Sequence, residues 1–246
     1  MRILVTVKII YDPKIELRQQ DGMLCFENIS RVINPIDEEN IMAVVEFRNK
    51  YPRTTLSAVC IGNNVDENIF KYVLAMGVDE AFMFRSVQCK TQDFDDLTIA
   101  KVLKRFIKTN KFDLVLTGKS TFSNNVGCVG PALATLLGWH QLYYVCNLLK
   151  LTNNELTVQC HAYNRTMTFG IKLPCVLICN FTKLIRYLGL LNIISMLSKP
   201  VKVIPLPNLN IKSNPCIETQ ELLVLNKPRK CKFFDDVNDL MNTIFG

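Results

Sequence analysis

The amino-acid sequence predicts an α/β domain built on an open, mostly parallel sheet, and three observations lead there. Over the first two thirds of the chain, short β-branched runs alternate with helical patterns, the order in which parallel strands and crossover helices follow one another. The helical patterns are one-sided. Between Phe94 and Asn110, Leu97, Ala100, Val102, Leu103, Phe106 and Ile107 form a broad apolar stripe, while Lys101, Lys104, Arg105 and Lys108 take the opposite face. Finally, 246 residues of which 49% are hydrophobic supply a packed core for one large domain or two small ones.

The first strand is expected at Ile3 to Ile9, in the β-branched opening MRILVTVKII. Further strands are predicted at Leu56 to Ile61, Glu80 to Phe84 and Leu114 to Thr117, with an extended run at Leu142 to Cys146. Helices are predicted between them at Asp37 to Tyr51, Asp66 to Gly77, Phe94 to Asn110 and Val129 to Trp139. The first helix follows Asn34-Pro35, where the residue before proline is driven out of the α region, and it opens with the acids Asp37, Glu38 and Glu39. After about residue 147 strand-like runs flank the turn TNNE, which predicts a small antiparallel excursion before a final core strand at Pro174 to Cys179. Pro205 to Pro215 is rich in proline and asparagine and reads as a linker. Beyond it Val237, Leu240, Met241 and Ile244 stand at helical spacing behind Asp235 and Asp236, the pattern of an amphipathic docking helix.

Several function classes are excluded. The net charge of +7 is spread along the chain and densest in its last third, with no concentrated basic face and no interleaved aromatics, so no nucleic acid is expected as a partner. Ten cysteines are scattered without C-x-x-C spacing and without a secretory leader, which fits reduced thiols in a cytoplasmic protein. With only His140 and His161 to assist them, no metal site is expected. The most membrane-like stretch, Tyr187 to Ser198, falls well short of the ~20 apolar residues of a spanning helix. It must be buried against protein, in this chain or in another.

In an open parallel sheet ligands bind in the crevice beyond the carboxyl ends of the strands. The sequence places KIIYDP there after the first strand, CIGNN after the second, and TGKSTFSNNVGCVGP, Thr117 to Pro131, after the strand that ends at Thr117. Gly118-Lys119-Ser120 looks like the end of an NTPase phosphate loop, but Asp113 stands where the first glycine of G-x-x-x-x-G-K-[ST] belongs. That loop is ruled out; another kind of anion site is not. Gly118, Gly127 and Gly130 let backbone approach a ligand closely, and the helix starting near Val129 offers N–H groups and the positive end of its dipole. Pro131 sits in that helix's first turn, where its missing N–H costs nothing. Ser120, Thr121, Ser123, Asn124 and Asn125 add neutral donors, and no acid within the loop repels a phosphate. The residues alone leave open a glycine-containing loop that binds nothing.

A set of collinear motifs goes further. The stretches ILVTVKIIYDP, NPIDEENIMAVVEF, VCIG, VLAMGVDEAF, DLVLTGKSTFSNNVGCVGPALATLLGWHQ, IKLPCVLIC and IRYLGLLNIISMLSKPVKV run almost the length of the chain. They resemble the β subunit of electron-transfer flavoproteins, whose members show V-K-R-V-x-D-P, N-P-F-D-E, A-L-A-M-G-A-D, a long D-L-V-L-x-G-K-Q-A loop, L-G-W-P-Q, K-L-P-A-V and P-R-Y-A-T-L-P-N-I-M. The resemblance implies an adenine nucleotide α-hydrolase-like topology in a domain at residues 1–204, and a linker and arm at 205–246 that contacts an α subunit. It also implies a heterodimer in which the α subunit holds most of a FAD, while the β subunit binds AMP or, in some relatives, a second FAD.

Residues matching the family's nucleotide contacts are Thr6, Asn34, Pro35, Ile36, Asp37, Ile61 and the run Gly118, Lys119, Ser120, Thr121, Phe122, Ser123, Asn124, Asn125, Val126, Gly127, Cys128 and Val129. Electrons would arrive from a dehydrogenase, such as an acyl-CoA dehydrogenase, and leave toward a quinone oxidoreductase. Such a chain is an electron carrier and not an enzyme. Leu190 matches the leucine that the family inserts into its dehydrogenase partners, with Leu191, Ile193 and Ile194 beside it; an ordinary buried helix is the other reading of that segment. The sequence departs from the family where Ser123 and Asn125 replace acids, Cys128 replaces a glutamine, Ile36 replaces an aromatic residue, and the lysine-rich tail after Leu190 shrinks to Lys199. A regulatory protein that binds AMP or ATP, and a scaffold subunit that has lost its nucleotide, are the alternatives.

Overall fold

The computed structural model describes residues 1–15, 18–20, 23–26, 29–62, 66–85, 94–121, 127–182, 188–206 and 231–245. They fall into two compact units, one of residues 1–16 and 28–218, the other of residues 17–27 and 219–246. In chain order the elements are β1 (Arg2–Val7), β2 (Ile9–Tyr11), β3 (Arg18–Gln20), β4 (Met23–Cys25), β5 (Arg31–Ile33), α1 (Pro35–Asn49), β6 (Thr55–Ile61), α2 (Glu67–Ala75), β7 (Glu80–Arg85), α3 (Asp96–Asn110), β8 (Leu114–Gly118), α4 (Val129–Leu137), β9 (His140–Thr152), β10 (Glu155–Ala162), β11 (Arg165–Lys172), β12 (Cys175–Cys179), α5 (Leu190–Ser198), β13 (Val201–Pro205) and α6 (Val237–Phe245). The β3–β4 hairpin and α6 belong to the smaller unit.

The larger unit carries a nine-stranded sheet in the order β11-β10-β9-β12-β8-β1-β6-β7-β13. From β9 to β13 all neighbours run parallel, and β10 joins β9 and β11 antiparallel at one edge. The central strands are apolar on both faces because helices cover both. Ile3, Val5 and Val7 of β1 pack with Ile41, Val44 and Phe47 of α1 and with Phe70 and Val73 of α2. Leu4, one residue out of phase, packs on the other face with Val102 and Phe106 of α3 and Leu133 of α4. Phe106 stands at the centre of an aromatic group, 4.9 Å from Phe82 and 5.2 Å from Phe84, ring centre to ring centre. Burying one such ring contributes roughly 1.5–3 kcal/mol.

Two strand boundaries differ from those the sequence predicts. The first strand was expected to run to Ile9, but it stops at Val7 because Lys8 leaves the ladder: its N–H donates to Asp37 Oδ2 at 2.9 Å, and its carbonyl accepts the Asn34 N–H at 2.8 Å. Ile9–Tyr11 then pairs antiparallel with Arg31–Ile33 in a separate ribbon. The run expected at Leu142 to Cys146 is a strand of 13 residues. Its first half pairs with β12 and its second half with β10, and Tyr144, at a φ of 56°, marks the change of partner. β13 was not foreseen. Its five residues, VKVIP, pair parallel with β7 at the sheet edge.

Helix starts follow local chemistry. Pro35 is the first residue of α1 with Asn34 before it, and Asp37 and Glu38 occupy the first turn. Asp66 and Asp95 cap α2 and α3, accepting the N–H of Asn68 at 2.8 Å and of Thr98 at 2.9 Å. No described helix is long and apolar enough to cross a membrane. Eight described cysteines are free thiols.

Candidate functional site

The strand order reverses between β1 and β8: from β1 the chain moves outward through β6 to β7, then crosses back to place β8 on the other side of β1. A parallel sheet opens a crevice at such a point, because the loops on either side leave in opposite directions. A cleft of about 700 Å³, open mouth included, lies there, bounded by Thr6, Val7 and Lys8 at the end of β1, Ile61 at the end of β6, Thr117, Gly118, Ser120 and Thr121 at the end of β8, and Gly127 to Val129 at the start of α4.

The glycines are required by the packing around the cleft. A Cβ on Gly118 would stand 2.7 Å from Asp37 Oδ1, and one on Gly130 would stand 2.5 Å from Thr117 Oγ1 and 2.6 Å from Ile178 Cγ1. A Cβ on Gly127 would collide with the Lys119 carbonyl. Glycine thus lets the loop fold back on itself and brings the N-terminus of α4 down onto β8 and β12. The first N–H groups of α4 then face the cleft without intrahelical partners.

The site's electrostatics come from residues on three elements. Asp37, 3% exposed, accepts the Lys8 N–H, and burial pushes its carboxyl up to about 7, opposed by the hydrogen bonds from Lys8 and Asn34. Asp96, at the start of α3, also lines the cleft; burial raises its carboxyl above the ordinary range, while Lys8 and a hydrogen bond from the Cys128 N–H pull it down. Cys60, behind Asp37, is buried and its thiol is pushed up to about 12 by burial and then by the nearby carboxylate. It is a packing group and not a nucleophile.

The structure brings nine of the thirteen described nucleotide-site candidates to the cleft. Thr6, Asp37, Ile61, Gly118, Ser120, Thr121, Gly127, Cys128 and Val129 line the cleft. Asn34 supports its wall, donating from Nδ2 to the Ser120 carbonyl at 3.4 Å. Pro35 starts α1, and Ile36 packs beside Gly118. Lys119 turns away from the cleft, its ammonium 5.3 Å from the centre of the Tyr144 ring. Phe122, Ser123, Asn124, Asn125 and Val126 lie outside the described residues. Lys8 and Thr117, which also line the cleft, lie in the segments placed at the strand ends but were not among the matched contacts, and Asp96 on α3 was not anticipated at all. Asp96 also qualifies the expectation that no acid opposes a phosphate. The loop itself carries none, but the neighbouring helix α3 brings a carboxylate to the cleft wall.

The other anticipated group lies on α5. Leu188 and Met196 pack against the core, while Leu190, Leu191 and Ile194 are 71%, 80% and 54% exposed and Ile193 sits at their edge. The ordinary buried helix is therefore not what this segment forms within the chain.

An open parallel α/β sheet with a glycine-lined cleft at its switch point defines the class of protein. The particular family follows from comparison. The chain belongs to the electron transfer flavoprotein family: the family model described as the electron transfer flavoprotein domain matches residues 23–205. It is similar to the electron transfer flavoprotein subunit beta, mitochondrial, of Arabidopsis thaliana, 26% identical over 99% of this chain and 97% of the relative. It is also similar to a probable electron transfer flavoprotein subunit beta of Saccharomyces cerevisiae, 27% identical over 90% of this chain and 87% of the relative. A third relative, the caffeyl-CoA reductase-Etf complex subunit CarD of Acetobacterium woodii, is 26% identical over 73% and 68%. The β-subunit resemblance read from the motifs is the family these comparisons return.

Proposed function

We propose that this chain is the β subunit of a heterodimeric electron-transfer flavoprotein, an electron carrier that forms one wall of a FAD site with an α subunit and holds an adenine nucleotide, AMP or a second FAD, in its own cleft. The observation that carries the nucleotide reading is the cleft itself: three glycines pack so closely that the α4 N-terminus faces the space between β1 and β8. Thr117 adds to the fit. It lines the same space, is 2% exposed, and its Oγ1 has no hydrogen-bond partner among the described residues. A buried hydroxyl in that state calls for a polar partner, which a ligand or an ordered water supplies.

Within this reading, Gly118, Ser120 and Thr121 supply polar groups on one side, and the first N–H groups of α4 favour an anion on the other. Val59, Ile99 and Leu103 make an apolar wall suited to a base. Bound FAD would supply the redox chemistry; the protein positions it and tunes its surroundings. The exposed row Leu190, Leu191 and Ile194 is the surface offered to a dehydrogenase donor, such as an acyl-CoA dehydrogenase, with a quinone oxidoreductase as acceptor. The arm at residues 205–246 is proposed to contact the α subunit. A cytoplasmic location is part of the proposal, and fractionation decides it against the organelle named for the Arabidopsis relative.

The test is to co-express the chain with its α subunit, purify the complex and quantify the nucleotides released on denaturation. One FAD and one AMP per heterodimer, or two FAD, supports the proposal. One FAD and no further nucleotide would reduce the chain to a scaffold, and the absence of any complex would refute the β-subunit reading.

A further inference from the structure

The two carboxylates of the cleft are not equivalent. Asp37 is buried and spoken for, with Oδ2 on the Lys8 N–H, Asn34 beside it, and Oδ1 packed over Gly118. Asp96 is only half-buried and lines the cleft from the first turn of α3, across from Cys128 and Val129 at the start of α4. An ionised carboxylate has about four acceptor sites, which gives Asp96 capacity toward the cleft.

Its position has two consequences. A ligand phosphate held by the N–H groups of α4 is kept away from Asp96 itself, because the two negative charges repel in a partly desolvated setting. A hydroxyl placed there instead donates a charge-assisted hydrogen bond, one of the stronger neutral-to-ion contacts. Thr117 independently supports a polar occupant, since its buried Oγ1 lines the space and has no partner among the described residues.

We propose that Asp96 is the sugar-reading residue of the cleft, accepting a hydrogen bond from a ribose hydroxyl of the bound adenine nucleotide and so selecting ribonucleotides over their deoxy analogues. This rests on the nucleotide reading of the cleft. It assigns a specificity role to a residue outside the glycine loop, on a different helix.

The heterodimer, stripped of the cleft's nucleotide, is titrated calorimetrically with AMP, 2′-deoxy-AMP and 3′-deoxy-AMP. The wild type is expected to bind AMP about tenfold or more tightly than at least one deoxy analogue, because a site built to bond a hydroxyl rejects the analogue lacking it. Asp96→Ala should weaken AMP about tenfold and bind all three alike, with Asp96→Asn between the two. Thr117→Val should weaken all three without altering their ratio. Retained FAD content shows that a variant has folded. If Asp96→Ala yields no heterodimer, Asp96→Asn, which keeps the side chain's size and a polar group there, decides by the AMP-to-deoxy ratio alone. An unchanged ratio overturns the inference, and so does tighter AMP binding by either variant, which would make Asp96 a competitor of the phosphate. A wild-type complex that binds no nucleotide at all overturns the reading of the cleft and this inference together.

Discussion

Changing Asp37 to asparagine should remove a pH dependence from the stability of the chain. Asp37 sits in the first turn of α1, is 3% exposed, and has its carboxyl pushed by burial from an ordinary 3.8 up to about 7. Between those two values the folded chain holds a proton that the unfolded chain has released. The contribution of this group is therefore most favourable at the acid end, falls as pH rises through the window, and levels off above about pH 7. The gap between the two values corresponds to about 4 kcal/mol. Asparagine does not titrate, and its Oδ1 can still accept the Lys8 N–H that Asp37 holds at 2.9 Å. Relative to the wild type, Asp37→Asn should thus gain stability steadily from about pH 4 to about pH 7, reaching at most about 4 kcal/mol. Urea unfolding of the full chain, followed by circular dichroism in parallel for both proteins across that range, measures the difference directly. A difference that does not change with pH, or one that moves in favour of the wild type as pH rises, would show that Asp37 is charged and paired in the fold, and the reasoning would fail.

Gly127→Ala places a methyl group against the Lys119 carbonyl; it should lower stability by about 1–3 kcal/mol and strip nucleotide from the complex, read by thermal melting and released-nucleotide assay. Asp95→Ala removes the side chain that accepts the Thr98 N–H at 2.9 Å, and should cost about 1 kcal/mol in urea unfolding. Leu190→Ser with Leu191→Ser, at positions 71% and 80% exposed, should leave stability within about 0.5 kcal/mol while slowing electron transfer from a dehydrogenase donor; equal transfer rates would remove α5 from the partner surface.

Much of the fold was legible because its signals are local and repeated. The strands at Leu56, Glu80 and Leu114 are unbroken apolar runs covered on both faces, and the stripe of α3 shows which side packs. The end of β1 was not legible, since nothing near Lys8 announces that its N–H will be taken by Asp37, 29 residues away in sequence. β13 was missed because five residues with a lysine and a terminal proline look like the linker that follows them, and only pairing with β7 makes them a strand. The cleft was half visible. Its glycines, helix start and Thr117 lie in one continuous segment and Lys8 in the segment after the first strand, whereas Asp96 reaches it from α3 through topology alone. Asp96 in particular reads in sequence as an acid suited to a helix start, and its neighbour Asp95 does serve as the cap of α3.

The central claim is that this chain completes a flavin site with an α subunit. The most direct measurement is the visible absorbance of the complex purified through a tag on this chain, compared with the α subunit prepared alone. A one-to-one complex with a stoichiometric flavin band, lost when this chain is left out, is the predicted result. An α subunit that holds its full flavin without this chain, and does not co-purify with it, would contradict the account.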